Sequence, residues 1–293
     1  MANATGPDIG PPPGMVMAQA AIAALDRDRS GYARVVLESP AFAELAPGGA
    51  APVFKVFIPP RPGEAPVLPA LGEKYLPSWP PQAERPTVRS YTALDFSPGG
   101  TAVEFAALGH RGGWWLDGFS PGDRLGFIGF KHGLVPPGDV EHLVAVGDPS
   151  AAGAMAALAR QVRAGIAVHL VLPRGPALPD WLAAPRASGT STAADTGGYG
   201  FPRIGWAEIT ELTGAPPART ALWLGGEVRP VRELRAQALR GGLDPARITA
   251  IPYWSSGLSR DEFDRELSVR YRRAADRGVD IMDPAVAAEI ELG

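Results

Sequence analysis

The pattern of apolar runs changes character near Pro136, and that change constrains the fold more than any other feature of the chain. Ahead of it, short β-rich segments fall at 32–37, 53–58, 87–94, 101–107 and 124–130, separated by Gly/Pro turns and by a Pro-rich connection over 59–81. Short strands without crossover helices bury their apolar faces by closing on one another, which predicts a small antiparallel barrel. Beyond the break, apolar runs at 141–146, 166–172, 221–224 and 248–254 alternate with helical stretches near 150–163, 228–240 and 259–276. Strands joined by helices pair in parallel, because a parallel connection needs a crossover of a dozen or more residues. The expected fold class is therefore a β barrel plus an α/β domain: an antiparallel barrel, then a parallel-sheet domain. The expected boundaries are a tail and short helix over 1–29, the barrel over 30–137 and the α/β part over 138–293.

Two segments carry weaker signals. The apolar stretch 15–25 has no basic region before it and no clear cleavage site after it, so 15–28 reads as a short helix and not as a signal peptide. The Gly/Ser/Thr-rich stretch 173–202 has little pattern and reads as a long loop or insertion.

Composition removes whole classes of chemistry. With no cysteine, disulfides, thiolate catalysis, cysteine zinc sites and iron–sulfur clusters are all excluded, so electron transfer by this chain requires an organic cofactor. A net charge of -3, from 28 basic and 31 acidic residues, provides no general field for nucleic acid. No apolar run reaches the roughly 18 residues of a membrane span; a cytoplasmic enzyme with a small-molecule substrate is expected. Four scattered histidines, His110, His132, His142 and His169, lack metal-ligand spacing, and His142 and His169 sit in apolar strands as core residues do.

The sharpest chemical signal is Arg89-Ser90-Tyr91-Thr92 at the end of a barrel strand. Arginine grips phosphate bidentately. A tyrosine two residues on faces the same side of the strand and offers a ring for stacking. The threonine hydroxyl can hydrogen-bond a ring edge. Further motifs follow the same order along the chain: Val53-Phe54-Lys55-Val56-Phe57-Ile58-Pro59, Pro121-Gly122-Asp123, Val146-Gly147-Asp148, Trp223-Leu224-Gly225-Gly226-Glu227 and Tyr253-Trp254-Ser255-Ser256-Gly257.

Together these motifs, from about Ala33 to Glu266, resemble the siderophore-interacting protein family, which is ferredoxin-reductase-like. The resemblance implies FAD held by the barrel, NAD(P)H or a ferredoxin as electron donor, and a ferric siderophore or similar iron chelate as substrate. It implies cofactor contacts at Arg89, Ser90, Tyr91, Thr92, Glu104, His110, Arg111, Gly112, Gly113, Asp148, Glu227 and Trp254. Lys55 and Lys131 would supply substrate-binding cations. The chain also departs from the pattern. Where the family carries an Asp-Phe-x-x-His-Gly strand end leading into Gly-Pro-Ala-Ser, this chain has Glu104-Phe105-Ala106-Ala107-Leu108-Gly109-His110-Arg111-Gly112-Gly113-Trp114-Trp115. Trp114 replaces a small-residue step, and the pair 114–115 reads as packing. Ser255 stands where the resemblance expects an arginine. Two alternatives follow: a flavin-dependent biosynthetic enzyme acting on a less charged natural-product intermediate, and a non-catalytic small-molecule-binding member.

Overall fold

Alternation of buried and exposed residues organises the first part of the chain. In β2 (Tyr32–Glu38) Ala33, Val35 and Leu37 are fully buried, and in β7 (Ala102–Leu108) Val103, Phe105 and Ala107 are. A period of two places each set on one face of its strand. These strands belong to a closed antiparallel barrel of order β1-β2-β7-β6-β3-β8. The others are β1 (Val16–Arg27), β3 (Val53–Ile58), β6 (Thr87–Phe96) and β8 (Arg124–Lys131). A two-stranded sheet of β4 (Ala70–Leu71) and β5 (Pro77–Ser78) lies in the connection between β3 and β6. The barrel core is aromatic: Phe42 stacks on Phe127 with centroids 4.3 Å apart, and Phe54 meets Phe105 edge-on at 5.5 Å. In β8, a Cβ added at Gly129 would lie 2.5 Å from the Cβ of Phe54, so close strand packing requires glycine there.

This computed structural model describes residues 10–12, 14–45, 48–72, 75, 77–81, 84–109, 114–131, 133–175, 178–183, 189–281 and 283–293. The expectation of a short helix over 15–28 is overturned: the segment is β1, paired with β2 on one side and β8 on the other. Its alanines favour a helix, but only as a strand does this segment satisfy the backbone edges of both neighbours and close the barrel. Ala20 and Ile22 then point into the core.

The second part is a parallel sheet of five strands in the order β11-β10-β9-β12-β13. These are β9 (His142–Gly147), β10 (Ala167–Pro173), β11 (Gly189–Ala194), β12 (Thr220–Glu227) and β13 (Ile248–Trp254). The helices are α1 (Ala152–Gln161), α2 (Asp180–Ala183), α3 (Trp206–Thr213), α4 (Val228–Arg240), α5 (Arg260–Asp276) and α6 (Pro284–Leu292). Every residue of the interior strand β12 is buried, as expected of a strand covered on both faces. The stretch 173–202, expected as a loop, contributes β11, which pairs in parallel with β10. Its Thr-rich, largely exposed sequence suits an edge strand, which carries little apolar signal. The chain divides into two units, Met1–Gly133 and Leu134–Gly293. Among the described residues, no helix is long and apolar enough to cross a membrane.

Candidate functional site

In the barrel unit, strand register sorts the predicted residues onto two faces. Val56 pairs with Arg89 and Phe54 with Tyr91, and both partners belong to the core, so Arg89 and Tyr91 share the core-facing side of β6. Lys55 pairs with Ser90, and Val53 pairs with both Thr92 and Lys131. Ser90, Thr92, Lys55 and Lys131 therefore lie on the outer side, with both lysines exposed and Thr92 buried. Thus the arginine and ring face one way, and the hydroxyls and cations the other.

Tyr91 packs its ring 4.4 Å from that of Phe105. Its hydroxyl accepts a 2.6 Å hydrogen bond from Nε1–H of Trp115, whose ring centroid lies 6.2 Å away. Trp115 also meets Phe119 edge-on at 5.8 Å. The segment holding these indoles is fixed from below. Leu116 and Phe119 are buried, and Arg27 donates to both of their carbonyls at 2.6 and 3.1 Å. Beside it, the Trp114 ring lies against Gly109, and its buried Nε1–H has no partner among the described residues. Glu104 is engaged elsewhere, accepting from Arg34 at 2.5 Å, a bond that raises the Arg34 pKa above its ordinary value. The expected contacts His110, Arg111, Gly112 and Gly113 lie outside the described residues, as does His132.

The donor set of these residues bears on whether FAD can be held here. A guanidinium and an aromatic ring share one side of β6, and a buried N–H without an acceptor lies in the loop beyond β7. Phosphate, a flat ring system and a hydrogen-bond acceptor match those groups, so the residues fit FAD. The sequence reads the pair 114–115 as packing and does not show the Trp115 contact with Tyr91; the signal that could have found it is the bulky pair following Gly112-Gly113 in the sequence.

In the α/β unit, strand order reverses between β9 and β12, the switch point where doubly wound sheets bind ligands at the carboxyl ends of strands. Asp148 and Glu227 both sit there, 1% and 2% exposed. Asp148 Oδ1 accepts from the Ser150 backbone N–H at 2.8 Å and from its hydroxyl at 2.5 Å. Its Oδ2 accepts from Glu227 N–H at 2.8 Å and from Trp254 Nε1–H at 2.9 Å. Glu227 caps α4 by accepting from Arg229 N–H at 2.6 Å, and it accepts from Ser256 N–H at 2.9 Å. One carboxylate thereby ties the ends of β9, β12 and β13 together. Burial pushes the Asp148 pKa up, against the lowering effect of its four donors. Gly147 and Gly226 belong to the same packing: a Cβ on Gly147 would lie 2.6 Å from Ala151 Cβ, and one on Gly226 2.4 Å from Asp148 Oδ2. Sequence reasoning missed Ser150 and Ser256 as members of this network.

His142 and His169 meet each other. Nδ1 of His142 lies 3.1 Å from Nε2 of His169, with centroids 5.4 Å apart and rings 18° from parallel. Such a separation requires the two nitrogens to face head-on, the geometry of a shared proton. Thr190 Oγ1 lies 2.9 Å from His169 Nδ1. Burial, and then His142, lower the His169 pKa. No group of three or more His, Cys, Asp or Glu side chains suited to a metal ion occurs among the described residues.

An antiparallel barrel followed by a parallel five-stranded sheet defines the ferredoxin-reductase-like FAD- and NAD-binding fold. Phthalate dioxygenase reductase has it, at a TM-score of 0.56 and 15% identity, covering 82% of this chain and 68% of that one. Residues 29–132 match the siderophore-interacting FAD-binding domain and residues 140–257 the siderophore-interacting protein domain; the chain belongs to the siderophore-interacting protein family. The siderophore-interacting protein of Acinetobacter baumannii superposes at a TM-score of 0.66 and 17% identity, covering 89% of this chain and 99% of that one. SipS of Aeromonas hydrophila does so at 0.61 and 24% identity, covering 86% and 97%. No curated protein sequence is significantly similar.

Proposed function

We propose that the chain is a cytoplasmic FAD-dependent reductase of a ferric siderophore or similar iron chelate, with NAD(P)H or a ferredoxin as electron donor. The observation that carries this reading is the pairing of Arg89 and Tyr91 on one side of β6, inside a barrel that matches the siderophore-interacting FAD-binding domain. In this reading the FAD-binding part spans 30–137 and the NAD(P)H-binding-like part 138–293. Bound flavin would supply the redox step, accepting two electrons and passing them singly to ferric iron. Arg89 would hold phosphate, and Tyr91 would orient the ring. Lys55 and Lys131, exposed on the outer side of the barrel, would attract an anionic chelate. Asp148 holds Glu227 and Trp254 in place through direct hydrogen bonds.

The test is the visible spectrum of freshly purified protein, then anaerobic reduction and reoxidation by ferric siderophores. Flavin absorbance that bleaches with NAD(P)H or reduced ferredoxin, and returns with a ferric chelate, is the expected result. Reducible flavin that no ferric chelate reoxidises would favour the second reading, a flavin-dependent biosynthetic enzyme on a less charged molecule. Ser255, in place of the arginine the resemblance expects, is the observation that favours it. Protein that takes up no flavin rejects both.

A further inference from the structure

We infer that Trp115 competes with the flavin ring for Tyr91 and so sets how tightly this chain holds its cofactor; the inference rests on the FAD reading above. Three features of the barrel unit converge on it. The first is contact. The Tyr91 ring has Phe105 of the core at 4.4 Å, and its hydroxyl is taken by the Trp115 indole at 2.6 Å. A flavin that engaged the Tyr91 hydroxyl, or stacked on the phenol beside it, would have to displace that indole.

The second is where the segment is anchored. Leu116 and Phe119 anchor the segment in the core, and Arg27 clamps their carbonyls. The turn is closed by hydrogen bonds from Asp117 N–H to Trp114 O at 2.8 Å and from Phe119 N–H to Leu116 O at 3.0 Å. Trp115 stands between these anchors and is only half-buried. An indole that turned about its side-chain torsions while keeping its contact with Phe119 would give up one hydrogen bond and one aromatic contact, both with Tyr91, without unfolding of the loop.

The third is a compensating partner. The adjacent Trp114 keeps a buried Nε1–H without an acceptor. A buried donor left unpaired is costly, and a ligand carrying phosphate or ring carbonyl oxygens is a natural source of the missing acceptor. The closed arrangement therefore satisfies Tyr91 and leaves Trp114 unsatisfied. A flavin that took Tyr91 and offered an acceptor to Trp114 would reverse both.

Apparent affinity falls by the fraction of molecules in which the site is open. Loss of one hydrogen bond together with one aromatic contact corresponds to a factor of about 10 to 50 in that fraction. The experiment titrates FAD into the full-length apoprotein, following quenching of flavin fluorescence, for the wild type, Trp115→Ala and Trp115→Phe, with circular dichroism and Tm as fold controls. Trp115→Ala is expected to bind FAD about 10 to 50 times more tightly than the wild type. Trp115→Phe, which keeps a ring but loses the N–H, is expected to fall between them and carries the test if the alanine variant fails to fold. Equal or weaker binding by folded variants, with the wild type binding FAD, overturns the competition and leaves the FAD reading standing. If neither wild type nor folded variants bind FAD at millimolar concentration, the FAD reading fails and the competition with it.

Discussion

Replacing Asp148 separates its role as a tie between strands from a role as a mere surface acid at a sheet edge. Its side chain accepts four hydrogen bonds: from Ser150 N–H, the Ser150 hydroxyl, Glu227 N–H and Trp254 Nε1–H. In Asp148→Asn the amide oxygen can keep Glu227 and Trp254. The new NH2 group then faces Ser150, whose hydroxyl can turn to accept, while the Ser150 backbone N–H loses its acceptor. One half-buried donor is orphaned, for a loss of about 1–2 kcal/mol. Asp148→Ala orphans both backbone donors and the indole, one of them on a fully buried residue, for about 3–5 kcal/mol. At about 2–4 °C per kcal/mol for a unit of this size, the alanine variant melts about 6–20 °C lower. Differential scanning calorimetry measures both. A pH signature accompanies the effect. Burial raises the Asp148 pKa in the folded state, so the folded protein holds that proton more tightly than the unfolded chain. Its contribution to stability is full at acid pH and is lost as pH rises through the raised pKa; the asparagine variant lacks this component. If the alanine variant melts within a degree of the wild type, the carboxylate does not hold the strand ends and the reasoning fails.

Other consequences are open to direct measurement. Arg89→Ala is expected to lower flavin content of purified protein by at least tenfold, while Lys55→Ala keeps flavin and slows reoxidation by an anionic ferric chelate, more so at low salt; unchanged flavin absorbance in the arginine variant would remove Arg89 from the site. For His169, the folded pKa is depressed, so the unfolded chain gains a proton first as pH falls below about 6.5 and stability drops there. Comparing the Tm of the wild type with that of His169→Gln from pH 7.5 to 5 isolates this component, which solvent exposure keeps below the slope of one full proton. Gly129→Ala is expected to cost about 1–3 kcal/mol by urea denaturation, because its Cβ would lie 2.5 Å from Phe54 Cβ. Gly138→Ala, which meets open space, serves as the neutral control.

What could be read from the chain alone divides along the range of the forces involved. The strands β2, β3 and β7 are legible because short β-rich runs bounded by turn residues are a local pattern, and the strand–turn–helix order of the second part implies a parallel sheet without knowledge of the pairing. The helix expected over 15–28 failed for the opposite reason. An alanine-rich apolar run satisfies either period, and the choice was made by β2 and β8, which are distant in sequence and need a partner on their open edges. β11 was hidden because an exposed edge strand carries few apolar residues. The same limit applies to the candidate site. Arg89 and Tyr91 could be placed on one face from their spacing, since a strand alternates. Nothing in the spacing shows that Trp115, 24 residues further along, donates to the Tyr91 hydroxyl. Likewise the resemblance implies cofactor contacts at Asp148 and Glu227, yet Asp148 receives its hydrogen bonds from the chain itself, and Cβ atoms on the neighbouring Gly147 and Gly226 would collide with Ala151 and Asp148. A glycine beside an acid at a strand end is required equally by a ligand's approach and by the close packing of three strand ends. Sequence pattern cannot separate the two demands, because each acts through the same missing Cβ. The Asp148 variants test the packing demand by itself, since it is read directly in Tm.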